Sequence, residues 1–112
     1  MHEFSLVQNI IDIATDTAIR NQLVHVQSVE VEIGQVSGIV PEAMDFAWES
    51  AIKNTLLHEA SLVIKIIPLL VRCRACGNEF HPDGLYETCP GCGNFKPEII
   101  SGRELRVTAI QG

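Results

Sequence analysis

Two short cysteine pairs constrain this chain more than any other feature. Cys73-Arg-Ala-Cys76-Gly77 and Cys89-Pro-Gly-Cys92-Gly93 give a C-x2-C-x12-C-x2-C spacing. Two intervening residues let both sulfurs of a pair turn toward one tetrahedral ion. The glycine after each pair suits a tight turn of positive φ that brings backbone N–H groups to sulfur. The spacing predicts a closed four-thiolate site for structural zinc, with no open position for hydrolytic chemistry. Iron is the other occupant such a site accepts. Two matched pairs without a thioredoxin-like βαβ context argue against a redox role, and the absence of a signal peptide argues against two disulfides. His81, five residues after Cys76, reads as a loop histidine, with exchange into the metal shell as the alternative. A lobe of about 23 residues cannot build an adequate core, so its stability should come from the metal.

The flanking segments carry ordinary core patterns. Over residues 4–22, Val7, Ile10, Ile11, Ala14, Ala18 and Ile19 follow helical spacing, with Asn9, Asp12, Asp16 and Arg20 on the wet face. Ser5 with Gln8 fits a capping box. Val29, Val31 and Ile33 alternate with Glu30 and Glu32 and stop at Gly34, a half-buried strand. The two glutamates read as a solvated strand face rather than a hard-metal site. Pro41 and Glu42 open a second helix to about Asn54, with Ala43, Met44, Ala47, Trp48 and Ala51 as its apolar stripe. Leu62 to Leu70 reads as a strand that Pro68 places at an edge or a bulge. Glu104 to Ile110 alternates again, with Leu105, Val107 and Ala109 on one face. A strand this short is not stable alone. It should return to the sheet of the first half, making the cysteine lobe an insertion.

Charge narrows the partners. Eight Lys and Arg against 14 Asp and Glu give a net charge of −6, and no basic run appears. Nucleic acid and anionic membrane are poor partners for such a chain. No apolar run reaches the length of a membrane span, so the expected compartment is the cytoplasm. A metalloenzyme would need an open metal position beside a general base, and no H-x-x-H motif is present. A zinc-ribbon nucleic-acid or protein adaptor remains a rival class and predicts a salt-sensitive interaction with polyanions.

The chain opens Met1-His2-Glu3. A methionine before a bulky histidine should resist removal, leaving the free amine on Met1. That amine, the His2 amide and the His2 ring can form fused chelate rings around nickel(II) or copper(II), which favour planar nitrogen sites. The Glu3 amide or carboxylate can complete the shell. His25 and His58 read as surface residues.

This opening, the continuation "EIGQVSGIVPEA" after Val31, and the paired knuckles before a terminal strand together resemble the HypA/HybF family of hydrogenase nickel-incorporation proteins. The resemblance covers essentially the whole chain. It implies an α+β fold, two helices packed on a small mixed three-stranded sheet, with an inserted four-cysteine zinc ribbon. Residues 1–71 and 99–112 would form the nickel-binding unit and residues 72–98 the ribbon. The implied nickel ligands are His2 and Glu3 with the Met1 amine, and the implied zinc ligands are Cys73, Cys76, Cys89 and Cys92. The implied role is a nickel metallochaperone rather than an enzyme. Its expected partners are a nickel-handling GTPase and the hydrogenase large-subunit precursor, with urease a further recipient in some organisms. A monomer or a homodimer is expected. Some members carry a histidine close to a knuckle, whereas here only His81 lies nearby.

Overall fold

A computed structural model describes residues 2–83 and 87–112, apart from the His2 side chain. Eight elements follow in order: α1 (His2–Arg20), β1 (Ser28–Gly34), α2 (Pro41–Ala51), β2 (Ser61–Ile67), β3 (Leu70–Cys73), β4 (Glu79–Phe80), β5 (Pro97–Ser101) and β6 (Leu105–Gln111). They build two three-stranded sheets, ordered β2-β1-β6 and β4-β3-β5.

The first sheet is mixed, because β1 pairs with β2 in parallel and with β6 antiparallel. Parallel neighbours need a crossover, and α2 supplies it. Alternation along β1 turns Val29, Val31 and Ile33 onto the helices, where each is at most 1% exposed. They meet Val7, Ile10, Ile11, Ala14 and Ala18 of α1 and Met44, Ala47 and Trp48 of α2. Each fully buried aliphatic side chain contributes about 1.5–3 kcal/mol. The Trp48 indole N–H donates to the Ala60 carbonyl at 3.0 Å, so this large core side chain leaves no polar atom unsatisfied. On the opposite face, Glu30 accepts Lys65 at 2.9 Å and Glu32 accepts Arg106 at 2.6 Å. Such exposed pairs add little stability but favour one strand register. Glu30 and Glu32 thus belong to the strand face rather than to a metal site.

Several local expectations shift. Helix α1 starts at His2, so Ser5 and Gln8 lie within the helix instead of capping it, and Ile19 faces solvent. Helix α2 ends at Ala51, before Asn54 adopts φ 63° in the following turn. Strand β6 does not keep Leu105, Val107 and Ala109 on one face. A register shift sets Glu30 opposite Ala109 but Val31 opposite Val107, leaving Thr108 as the extra residue of a bulge. Val107 and Ile110 consequently pack on the core, and Ala109 turns outward. The apolar run 62–70 divides at Pro68 into β2 and β3, which belong to different sheets.

Both passages between the sheets run past the end of β1. The Gly34 N–H donates to Glu104 O, the Gln35 N–H to Ile67 O and the Val36 N–H to Gly102 O, all within 2.8 Å. The Gln35 side-chain oxygen accepts the Leu69 N–H at 2.8 Å. Gly34 lies so close to this crossing that a Cβ would overlap the Gly102 carbonyl and the Arg103 nitrogen. Backbone cannot yield as a side chain can. Gly34→Ala is therefore expected to cost about 1–3 kcal/mol, read as a lower urea midpoint of Trp48 emission; an unchanged midpoint would refute the close approach.

Candidate metal centre

The second sheet carries the cysteines. Strand β3 delivers Cys73 directly, and β4 and β5 flank β3 antiparallel on its two edges. Each cysteine pair then folds into the same turn. Cys73 N–H donates to Asn78 O and Gly77 N–H returns to Cys73 O; Cys89 N–H donates to Asn94 O and Gly93 N–H returns to Cys89 O. Gly77 and Gly93 adopt φ of 80° and 78°, as the sequence spacing predicts. A Cβ at either would meet nothing within 4 Å, so the requirement is conformational and not one of space.

The two turns bring all four sulfurs within 4.8 Å of one another. Cys73 Sγ lies 3.6 Å from Cys92 Sγ, and Cys76 Sγ lies 3.6 Å from Cys89 Sγ. A disulfide would hold two sulfurs at about 2.05 Å, and all four cysteines are free. Ligands on a tetrahedral ion with bonds of roughly 2.3 Å stand about 3.8 Å apart. The donor set and its spacing therefore fit a four-thiolate metal such as zinc. Cys73 and Cys89 are buried, while Cys76 and Cys92 reach the surface.

The turns also aim N–H groups at sulfur. Gly91 N–H donates to Cys89 Sγ at 3.3 Å, Asn78 Nδ2 reaches the same sulfur at 3.8 Å, and Asn94 Nδ2 reaches Cys92 Sγ at 3.5 Å. The two asparagines were not singled out from the sequence, although the signal is present. The repeat is longer than C-x-x-C-G, running to Cys76-Gly77-Asn78 and Cys92-Gly93-Asn94. His81 stands apart from the sulfurs and places Nδ1 2.9 Å from Leu69 O, between the sheets.

Proton affinities within the cluster diverge. Burial pushes the Cys89 thiol up, but the Cys92 and Gly91 N–H groups, Cys76 and Asn78 more than reverse this and bring it to about 6. At Cys76 the Asn78 N–H pulls down, yet Cys89, burial, Cys92 and Cys73 outweigh it and push the thiol up to about 12. The Cys76 N–H is the chief cause that holds Cys73 below the ordinary thiol range. Within the cluster the surroundings thus favour the thiol form at Cys76 and the thiolate form at Cys89.

Of the N-terminal group, Met1 and the His2 side chain lie outside the described residues. Glu3 sits in the first turn of α1, where a carboxylate complements the helix dipole. No described helix is long and apolar enough to cross a membrane.

Fold and site together define a small α+β metal-handling protein. A family model described as "Hydrogenase/urease nickel incorporation, metallochaperone, hypA" matches residues 1–112. The chain is 40% identical over 111 residues to the hydrogenase maturation factor HypA of Geotalea uraniireducens, covering 99% of this chain and 98% of that protein. It is 34% identical to the factor of the same name from Aquifex aeolicus, covering 99% and 96%. Among solved structures, the nickel metallochaperone HypA of Helicobacter pylori superposes with a TM-score of 0.69 at 27% identity, over 97% of this chain and 95% of that one. The chain belongs to the HypA family of nickel-incorporation metallochaperones, which are carriers and not enzymes.

Because a ligating thiol must be a thiolate, metal uptake at neutral pH should expel the Cys76 proton. Affinity should rise with pH and fall steeply as acid protonates Cys89 near pH 6. Zinc calorimetry in buffers of different ionisation enthalpy is expected to show at least about one proton released per ion. Release of none would contradict the protonated Cys76. Chelation should abolish ribbon order while Trp48 emission stays native, since Trp48 is buried in the other sheet's core.

Proposed function

We propose that this chain carries nickel(II) at its N-terminus and delivers it for maturation of [NiFe] hydrogenase. Nickel is the cargo. Its ligands are the Met1 amine, His2 and Glu3, while Cys73, Cys76, Cys89 and Cys92 hold structural zinc. The observation that carries this reading is the start of α1 at His2. The first four N–H groups of a helix have no intrahelical acceptor. The His2 and Glu3 amides are therefore not committed to the helix, and a planar nickel site needs such amides free to lose a proton and ligate. Membership of a nickel-incorporation family supplies the metal.

In this reading residues 1–71 and 99–112 form the nickel unit and residues 72–98 the ribbon, whose supporting strands extend to Leu70 and Ser101. The ribbon holds its shape through zinc and helps partner recognition. The partners are the nickel-handling GTPase of the pathway and the hydrogenase large-subunit precursor, met in the cytoplasm. The family description also names urease, which makes it a second candidate recipient.

Nickel(II) calorimetry on zinc-loaded protein tests the site, with His2→Ala and a chain extended before Met1 as controls. Stoichiometric binding by the native chain, weakened at least about 100-fold in both controls, is expected from loss of ring or amine ligation. Equal binding by all three would move nickel elsewhere and favour the adaptor class.

A further inference from the structure

Parallel pairing of β1 with β2 sets Ser28 beside Ser61. Three residues before each serine stands a histidine, His25 and His58. Buried Val26 anchors one approach, buried Leu57 and Ala60 anchor the other, and the Ser61 N–H ties them through Gln27 O at 2.9 Å. The two histidines converge on Glu59. His25 Nδ1 lies 3.8 Å from Glu59 Oε2, and His58 Nε2 lies 3.6 Å from Glu59 Oε1. Both separations are too long for hydrogen bonds.

The His58 tautomer is fixed by its other nitrogen. Nδ1 lies 3.0 Å from Thr55 O, which can only accept, so Nδ1 carries the proton. Neutral His58 then turns a bare Nε2 lone pair toward a carboxylate oxygen. An imidazole whose second nitrogen donates to a backbone carbonyl is oriented as metal-ligating histidines are. Adjacent ligands on a tetrahedral ion with bonds of roughly 2.1 Å stand about 3.4 Å apart. The side chains are 46%, 57% and 64% exposed, so both imidazoles have room to turn toward each other about Glu59, a movement that sharing one ion requires.

We propose that His25, His58 and Glu59 form a second, exchangeable site for a divalent first-row transition ion of the nickel or zinc class. Two imidazoles and a carboxylate suit these ions and leave coordination positions open for water or for an acceptor's ligand. The 19 residues of α1 put about 28 Å between its ends, and His25 follows the far end from His2. One ion cannot bridge the two positions, so this site stands independently of the N-terminal one.

The test uses zinc-loaded, full-length protein carrying His2→Ala, titrated with cobalt(II) and followed by calorimetry and amide NMR. One equivalent is expected, with paramagnetic broadening centred on residues 24–26 and 57–60. Affinity should fall at least about tenfold in Glu59→Gln and in the double variant His25→Ala/His58→Ala, with Trp48 emission unchanged in both. Broadening centred on the ribbon or on α1's first turn overturns the proposal, as does undiminished affinity in folded Glu59→Gln. The His2→Ala background keeps either result separate from the N-terminal reading.

Discussion

Everything in the α+β unit hangs on β1 being paired along both edges. Its neighbours come from distant parts of the chain: β2 after the α2 crossover, and β6 only after the whole cysteine segment. Thr108 reaches back to the Glu30 carbonyl across 78 residues. The entropy of closing such a loop must be met before the pairing gives any return. Burial of Val29, Val31 and Ile33 beneath both helices supplies the compensation, since no residue of that face remains in water.

The same strand sets how the cysteine segment is attached. Chain leaving β2 and chain entering β6 both pass the end of β1, where successive backbone N–H groups of 34–36 bind one passage or the other. Ser101 Oγ donates to Pro68 O at 3.0 Å and joins the two passages to each other. Leu69, 1% exposed, fills the junction, and Gly102 at φ 120° passes against it. The ribbon is thus tied at two crossings that share one anchor. The loop leading to α2 begins at that anchor too, which joins the crossover helix to the same point.

Within the ribbon, chemistry takes over from packing. Two short antiparallel pairings and a few buried side chains give little hydrophobic burial, so the sulfur cluster has to supply the cohesion. Four thiols within 4.8 Å are held by proton sharing or by a metal, and N–H groups from Gly91, Asn78 and Asn94 favour the thiolate that a metal needs.

The sequence by itself determined the local elements and the paired cysteine turns. Apolar periodicity located both helices and β1, and the C-x-x-C-G repeat pointed to four grouped thiols and two positive-φ turns, because each property depends on residues close in the chain. What neighbours in space decide was not legible. The β6 bulge moves Ala109 outward and brings Ile110 in, and alternation alone cannot reveal a register shift against another strand. Ile19 continues the helical stripe yet is left 64% exposed. His25 and His58 read as unrelated surface residues until parallel pairing set Ser28 beside Ser61 and drew both toward Glu59. Gly34 looked like the end of a strand, whereas its smallness is required by chain some 70 residues later. Tertiary structure decided these features because register, close approach and convergence are relations between segments that sequence spacing does not encode.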